Sequence, residues 1–471
     1  MKRRLAPSLI VILAAALGGC SMDPAYQRPA PPVPASFPQG PSYAPPAPEP
    51  AAASMGWRAF FQDADLRSVI ELALAQNRDL RVAVANIQTN KAQAAVQRAA
   101  LFPGVNATAG ESYQRIPGGV GSFPGAGAID VRAYSADVGF SAWELDLFGH
   151  TRSLSRAAFE QYLASEDNRR AVQTSLIASV ANDYFTLAAD LQLLAVARRT
   201  LAAQQGSLDL IQARFNAGVA SLLDLQQARS TVQQARSDVA QYTAAAAQAK
   251  NALDLVVGAP TPEALLPKGL TSVNGEVAAL AAGTSSDILF QRPDVLQAEH
   301  QLEAANANIG AARAAFFPSV ALTAQVGQES TALQQLFNAA SRTWLFQPNV
   351  SLPIFEGGRN VGNLKAAKAQ RDTAQAQYEK AIQTAFREVA DALARAGVID
   401  EQLAAQQALV AADASSLQLS TARYERGADT YLNVLVTQRA LYGAQQSQVS
   451  VQLIDLTNAV TLYRALGGGQ N

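Results

Sequence analysis

Val180, Leu187, Leu194, Leu201, Leu208 and Phe215 recur every seven residues, and Val389, Ala396, Leu403, Val410, Leu417 and Tyr424 repeat the series 209 positions later. Six successive heptad positions, in duplicate, predict long helices with a left-handed supercoil. Each run stops at a glycine, Gly218 or Gly427, where a left-handed turn can end a helix. Ser221 and Thr430 follow as caps for a returning helix. The returning helices also count in sevens, through Leu225, Val232, Val239, Ala246 and Leu253, and through Leu435, Tyr442, Val449, Leu456 and Tyr463. The second of these series stands one residue out of phase with the first. Helices are expected over 151–217 and 221–258 in one half and over 359–426 and 430–466 in the other, with shorter ones at 65–101 and 287–317. A helix of roughly 67 residues is about 100 Å long.

After Pro103 and Pro318 the period changes to two. Val105, Ala107 and Ala109 alternate with Asn106, Thr108 and Gly110; Tyr134, Ala136, Val138 and Phe140 alternate with Ser135, Asp137, Gly139 and Ser141. Val320, Leu322, Ala324 and Val326, and then Trp344, Phe346, Val350, Leu352 and Ile354, do the same in the second half. These are strands with one apolar and one polar face, each about ten residues, the length of a tilted bilayer-crossing strand. Phe102, Trp143, Phe148, Phe317 and Phe355 lie where strands meet helices, and Tyr113, Tyr134 and Trp344 lie near the other ends. Two aromatic belts suit two bilayer interfaces, whereas a soluble sandwich would bury its aromatics. Four strands cannot close a barrel and lipid does not tolerate open sheet edges, so copies must assemble. Two copies supply about eight strands and a filled interior; three supply about twelve and room for a pore.

The chain is a tandem duplication. Residues 77–105 overlay 292–320 at an offset of 215, with Asp79 on Asp294, Ile87 on Leu302, Arg98 on Arg313 and Phe102-Pro103 on Phe317-Pro318. Further on the offset is 209, with Arg214 on Arg423, Phe215 on Tyr424, Gly218 on Gly427 and Ser221 on Thr430. The expected organisation is a signal peptide at 1–19, a lipidated and Pro-rich tether at 20–64, a first repeat at 65–258, an equatorial linker at 259–286 and a second repeat at 287–471. The first repeat holds strand pair 104–148 and a hairpin tip near 218; the second holds strand pair 319–355 and a tip near 427.

Composition changes the picture mainly at the N-terminus. Lys2, Arg3 and Arg4 precede the short apolar run Leu9–Leu17, too short to span a bilayer and fitting a secretory signal. The run ends in Leu17-Gly18-Gly19-Cys20, like a lipobox, so Cys20, the only cysteine, is the expected lipidation site. Prolines then crowd residues 24–50, an extended, semi-rigid composition. The net charge of −1 lacks the basic surplus of a nucleic-acid binder, so no nucleic-acid partner is expected. His150 and His300, the two histidines, have no metal-ligand spacing, and no nucleotide-binding glycine loop is present. No catalytic residue, metal or cofactor is therefore expected, and the chain is read as no enzyme. Glu144 and Asp146 are paired carboxylates at a strand end, a place where solvated charge is the ordinary reading.

The motifs Leu17–Cys20, WELDLFG at 143–149, ARFNAGVASLLDL at 213–225, RPDV at 292–295, AANANIGAARAAFFPSV at 304–320, LPIFEGG at 352–358 and YERGADTYLNVLVTQRALY at 424–442 resemble the outer membrane factors. These are the TolC-like export ducts of Gram-negative tripartite systems, and the sequence is most similar to their acylated, OprM-like branch. The resemblance implies a mainly α fold with a β-barrel part: four transmembrane strands per chain, a twelve-stranded trimeric barrel and a long α-helical coiled-coil periplasmic tunnel. It implies a homotrimer in the outer membrane lipid, a periplasmic membrane-fusion adaptor, and an inner-membrane resistance-nodulation-division transporter. It places adaptor-docking tips at Arg214, Phe215, Gly218 and Ser221, and at Arg423, Tyr424, Gly427 and Thr430. It places a periplasmic gate at Leu223, Asp224, Leu432, Asn433 and Val436, where Val436 departs from the aspartate common in that branch. The function implied is an exit duct for small toxic compounds; a type I protein secretion duct and a lipid-anchored coiled-coil spacer are the alternatives.

Overall fold

The computed structural model describes residues 21–43, 55–117, 127–270 and 285–468. The signal peptide, Cys20 and most of the glycine-rich loop between the first two strands lie outside the described residues. Helices α1 (Ala64–Gln76) and α2 (Arg78–Ala99) lead into strands β1 (Asn106–Ile116) and β2 (Ile129–Leu145), then α3 (His150–Asn216) and α4 (Leu222–Val257). The second half runs α5 (Pro293–Ala314), β3 (Ser319–Ser330), β4 (Arg342–Ser351), α6 (Arg359–Glu425) and α7 (Tyr431–Ala465). The duplication is visible element by element: α3 and α6 each have 67 residues, and α2 and α5 each have 22. Among the described residues, no helix is long and apolar enough to cross a membrane.

Two expected helices are each broken once. The one expected at 65–101 stops at Asn77, whose extended backbone starts α2 afresh and whose Oδ1 accepts from the Leu80 amide at 2.8 Å. The one expected at 287–317 is a 3₁₀ turn over Ser286–Gln291, then Arg292, then α5. Arg292 precedes Pro293, and the proline ring pushes the residue before it out of the helical region. Both breaks serve one contact. The Asn77 side-chain amide donates to the Val256 carbonyl at 2.7 Å, and Arg292 Nη1 donates to that of Ala465 at 2.8 Å. Val256 and Ala465 are equivalent at the 209 offset, so each break is pinned to the end of its own repeat's returning helix. Gly258 closes α4 at φ 82°, and a Cβ there would press on the Gln76 carbonyl at 2.6 Å. Gly467, its equivalent, also has φ 82°.

The chain forms two compact units: Met1–Pro29 with Ile87–Ser165 and Ala298–Tyr378, and Ala30–Asn86 with Glu166–Gln297 and Glu379–Asn471. The first unit contains one antiparallel sheet in the order β1-β2-β3-β4. Strand β2 has 17 residues, longer than the alternation alone suggests, and a register shift between Phe140 and Trp143 lets it bend beside β3. Ala142, at φ 52°, sits in that bulge, its amide donating to Thr323 Oγ1 at 3.0 Å. Within one chain β1 and β4 are edges, with no strand on their outer sides among the described residues.

The Pro-rich segment is extended, as its composition predicts, but its described part is bonded along its length instead of hanging as a free tether. In the first unit Asp23 accepts from Ser153 Oγ and from Arg156 at 2.8 Å. Arg28 grips Glu299 with two bonds of 2.7 and 2.8 Å, and Asn306 donates to the Pro24 carbonyl at 2.7 Å. In the second unit Ser286 donates to the carbonyls of Ala35 and Pro34, and Phe37 stacks on Phe386 at 5.1 Å. Proline lowers the entropy such a strap loses on docking. Gly310 is the keyhole: a Cβ there would overlap the Asp23 carboxylate and Ser153 hydroxyl. Gly310→Ala is therefore expected to displace the strap at Asp23 at a cost of about 1–3 kcal/mol. Limited proteolysis of the full-length protein checks it: cleavage within residues 21–29 should become faster, and an unchanged rate would refute the keyhole.

Candidate functional site: two helical hairpin tips

Each tip forms because a heptad helix meets a glycine. At the first, Gly218 adopts φ 75° and the amides of Gly218 and Val219 return to the carbonyls of Phe215 and Arg214 at 2.9 Å each. At the second, Gly427 adopts φ 72°, with Gly427 and Ala428 returning to Tyr424 and Arg423 at 3.0 and 2.9 Å. These left-handed turns satisfy the last carbonyls of α3 and α6.

The caps then differ. Ser221 forms a capping box: its hydroxyl accepts from the Asp224 amide at 3.1 Å, and Asp224 Oδ2 accepts from the Ser221 amide at 3.2 Å. Thr430 makes no side-chain cap bond. Asp429 braces the turn instead, accepting from the Thr430 amide at 2.8 Å, from the Asn433 side chain, and from Arg423 Nε at 3.3 Å. The Thr430 amide first, then Asn433 and Arg423, hold the Asp429 carboxyl below its ordinary pKa. Asp429 was not among the expected tip residues. Its position one residue before a Thr at a helix start is the signal that could have found it.

Two of the expected tip residues meet across the hairpins. Arg214 of the first tip lies over the Tyr424 ring of the second at 4.8 Å, and Tyr424 meets Tyr431 at 5.5 Å. Beneath them Ile211, Leu225, Ala228, Tyr431, Val434 and Leu435 form one buried cluster, with Leu208 and Leu417 packed against it. The two hairpins thus share a core at their ends. The one-residue phase difference between the returning helices is absorbed here, because Val434, the equivalent of Leu225, and Leu435 are both buried. Phe215 and Val219 remain exposed. Arg214 and Arg423 are thus engaged within the chain, one on an aromatic face and one on a carboxylate.

The expected gate residues lie in the first two turns of α4 and α7. Leu223, Leu432 and Val436 are exposed, at 66%, 53% and 55%. Asp224 is half-buried and turned into its capping box, and Asn433 is turned onto Asp429. The apolar exposed surface here comes from Leu223, Leu432 and Val436, with Asn433 exposed beside them. No group of three or more His, Cys, Asp or Glu among the described residues is placed to hold a metal ion. The two histidines stand apart, His300 on Glu160 at 2.8 Å and His150 near Glu144 at 3.6 Å.

Comparison with known proteins bears on the same features. The family model for "Outer membrane efflux protein" matches residues 69–259 and 284–468, one segment in each half. A toluene efflux pump outer membrane protein of Pseudomonas putida, TtgC, is 47% identical over 461 residues, 98% of this chain and 95% of that protein. The antibiotic efflux pump outer membrane protein ArpC of Pseudomonas putida is equally similar, 47% over 98% of this chain and 95% of its own length. The open-state outer membrane channel MtrE of Neisseria gonorrhoeae superposes with a TM-score of 0.85 at 36% identity, covering 96% of this chain and 99% of that one. Duplicated halves, a four-stranded sheet and paired 67-residue helices make this a TolC-like fold, and the chain belongs to the outer membrane efflux protein family.

Proposed function

We propose that this chain is the outer-membrane exit duct of a tripartite efflux system, passively conducting small toxic compounds delivered by an inner-membrane transporter and a periplasmic adaptor. The observation that carries this is the four-stranded sheet with no partner strand on either edge among the described residues, in a chain that also offers two equivalent helical tips. Open edges are not tolerated in lipid, so copies must complete the sheet. Three copies supply about twelve strands, wide enough for a pore, which favours a homotrimer. Three copies also present their tips in pairs around one axis, a match for a ring of adaptor hairpins. The paired tips around Gly218 and Gly427 are the docking surface in this reading, and Leu223, Leu432 and Val436 are the closure. Cys20 is acylated in the outer membrane, and the strap that begins at Ser21 fixes where its lipid sits.

The names of the similar proteins, toluene and antibiotic efflux components, suggest lipophilic solvents and drugs as cargo. The duct adds no chemistry; it supplies a path past a second membrane. Deleting the gene is expected to lower the tolerated concentration of toluene and of lipophilic antibiotics severalfold, with recovery on complementation. Unchanged tolerance to every compound tested would overturn the efflux reading.

A further inference from the structure

The two repeats treat one position oppositely. In the second repeat Arg292 bonds Asp294 and Glu388 at 2.8 and 2.9 Å, and Arg464 bonds the other oxygen of Glu388 at 3.1 Å. At the same offsets the first repeat has Asn77, Asp79, Ser179 and Leu255. Two arginines and a glutamate are thus replaced by smaller or uncharged side chains. Their space is left as a recess of about 670 Å³ between the start of α2, one face of α3 and the end of α4. Asp79 lines it without an ion pair among the described residues. Leu255 lines it too and is 80% exposed, where its equivalent is an ion-paired arginine. Val172 and Leu176 form the floor. Arg78 is on the rim, but its guanidinium is spent on the Gln76 carbonyl at 2.7 Å.

A carboxylate beside an aliphatic floor fits a long basic side chain, which lays its stem on apolar surface and its head on the charge. The second repeat shows what the place takes, a guanidinium against Asp294. Arg387 of α6 has the opposite need: its side chain is 72% exposed, and its acidic neighbour Asp391, at 4.0 Å, is itself 75% exposed. Lys380, seven residues before it, is exposed on the same stripe of α6. Arg387 is equivalent to Ala178 of α3, so it lies at the level of the recess along its own repeat. In a closed ring of duplicated chains, the first repeat of each copy meets the second repeat of the next. Cyclic symmetry keeps equivalent levels together.

We propose that the recess at Asn77, Asp79, Ser179 and Leu255 is a subunit socket that receives Arg387 of the neighbouring copy of this chain. The socket pins the angular register between copies at the level of the helix breaks, with Lys380 continuing the contact along the stripe. This rests on the homotrimer reading, and the test separates the two. Full-length protein carrying Asp79→Cys and Arg387→Cys is oxidised in the membrane and run on non-reducing gels. The native Cys20 is covered by a control without added cysteines. Covalent dimers and closed trimers from the double variant, with neither single variant crosslinking, are the expected result. Charge reversal is the second readout. Arg387→Glu should lower the oligomeric fraction in detergent severalfold, and Asp79→Lys in the same chain should restore it. Intact oligomers with no crosslink and no rescue would overturn the socket and leave the trimer standing. Single chains of the unaltered protein by native mass measurement would overturn both.

Discussion

Replacing Arg292 by alanine is expected to destabilise the second unit by about 4 kcal/mol. The residue is 4% exposed and its guanidinium holds Asp294, Glu388 and the Ala465 carbonyl together. Removing one member of a buried ion pair costs about 3–5 kcal/mol, because the remaining charge keeps its desolvation and loses its partner. The lower end applies here. Asp294 has a side chain 43% exposed, and Glu388 keeps Arg464. The orphaned Ala465 carbonyl adds about 1 kcal/mol. Lysine at the same position should recover only part, because it lacks the planar fork that reaches two carboxylates and a carbonyl at once. Burial alone would raise the Asp294 carboxyl, but Arg292 outweighs it and holds the group below its ordinary pKa. A carboxyl depressed in the folded state stabilises above its unfolded pKa of about 4 and loses that contribution as pH falls through the folded value. The gap in melting temperature between wild type and Arg292→Ala should therefore be wide at neutral pH and narrow in acid. Equal melting of the two proteins at neutral pH would show that the network contributes nothing.

Val436→Asp is expected to confer a block by divalent cations that the unaltered protein lacks. Leu223, Leu432 and Val436 present apolar surface beside the tips, and the Asp224 and Asp429 carboxylates are committed elsewhere. Asp224 closes a capping box, and Asp429 holds Thr430, Asn433 and Arg423. With three copies around one axis, an aspartate at 436 would make a ring of carboxylates, the arrangement that concentrates cations in a narrow passage. Single-channel recording in planar bilayers should show less than about twofold loss of conductance for the unaltered protein in millimolar Mg²⁺, and about tenfold for the variant. Strong block of the unaltered channel would overturn the apolar gate. Indifference of the variant would place Val436 away from the constriction.

Residues 22–28 are held by Arg313, Ser153, Arg156, Asn306 and Glu299, so an acyl chain on Cys20 would be attached two residues from a fixed point. Such an anchor would hold the first unit more tightly than a free proline-rich tether would.

The elements and their doubling could be read from local chemistry along the chain. Heptads from Val180 to Phe215 and from Val389 to Tyr424, alternation after Pro103 and Pro318, and the turns at Gly218 and Gly427 are each set by chemistry within a few residues. Those local preferences agree with the final fold, which is why they could be read directly. Contacts between distant segments could not be read that way. Asn77 and Arg292 look unalike, yet each reaches the end of a helix far along the chain, at Val256 and Ala465. The same holds for Asp23 against Gly310 and for Arg214 over Tyr424. Such pairings leave no periodic trace, because each depends on where packed helices bring two side chains and not on the spacing between them. The recess at Asp79 is the clearest case: its carboxylate is plain in the sequence, but the space beside it exists only because Ser179 and Leu255, far apart in the chain, are both smaller than their equivalents.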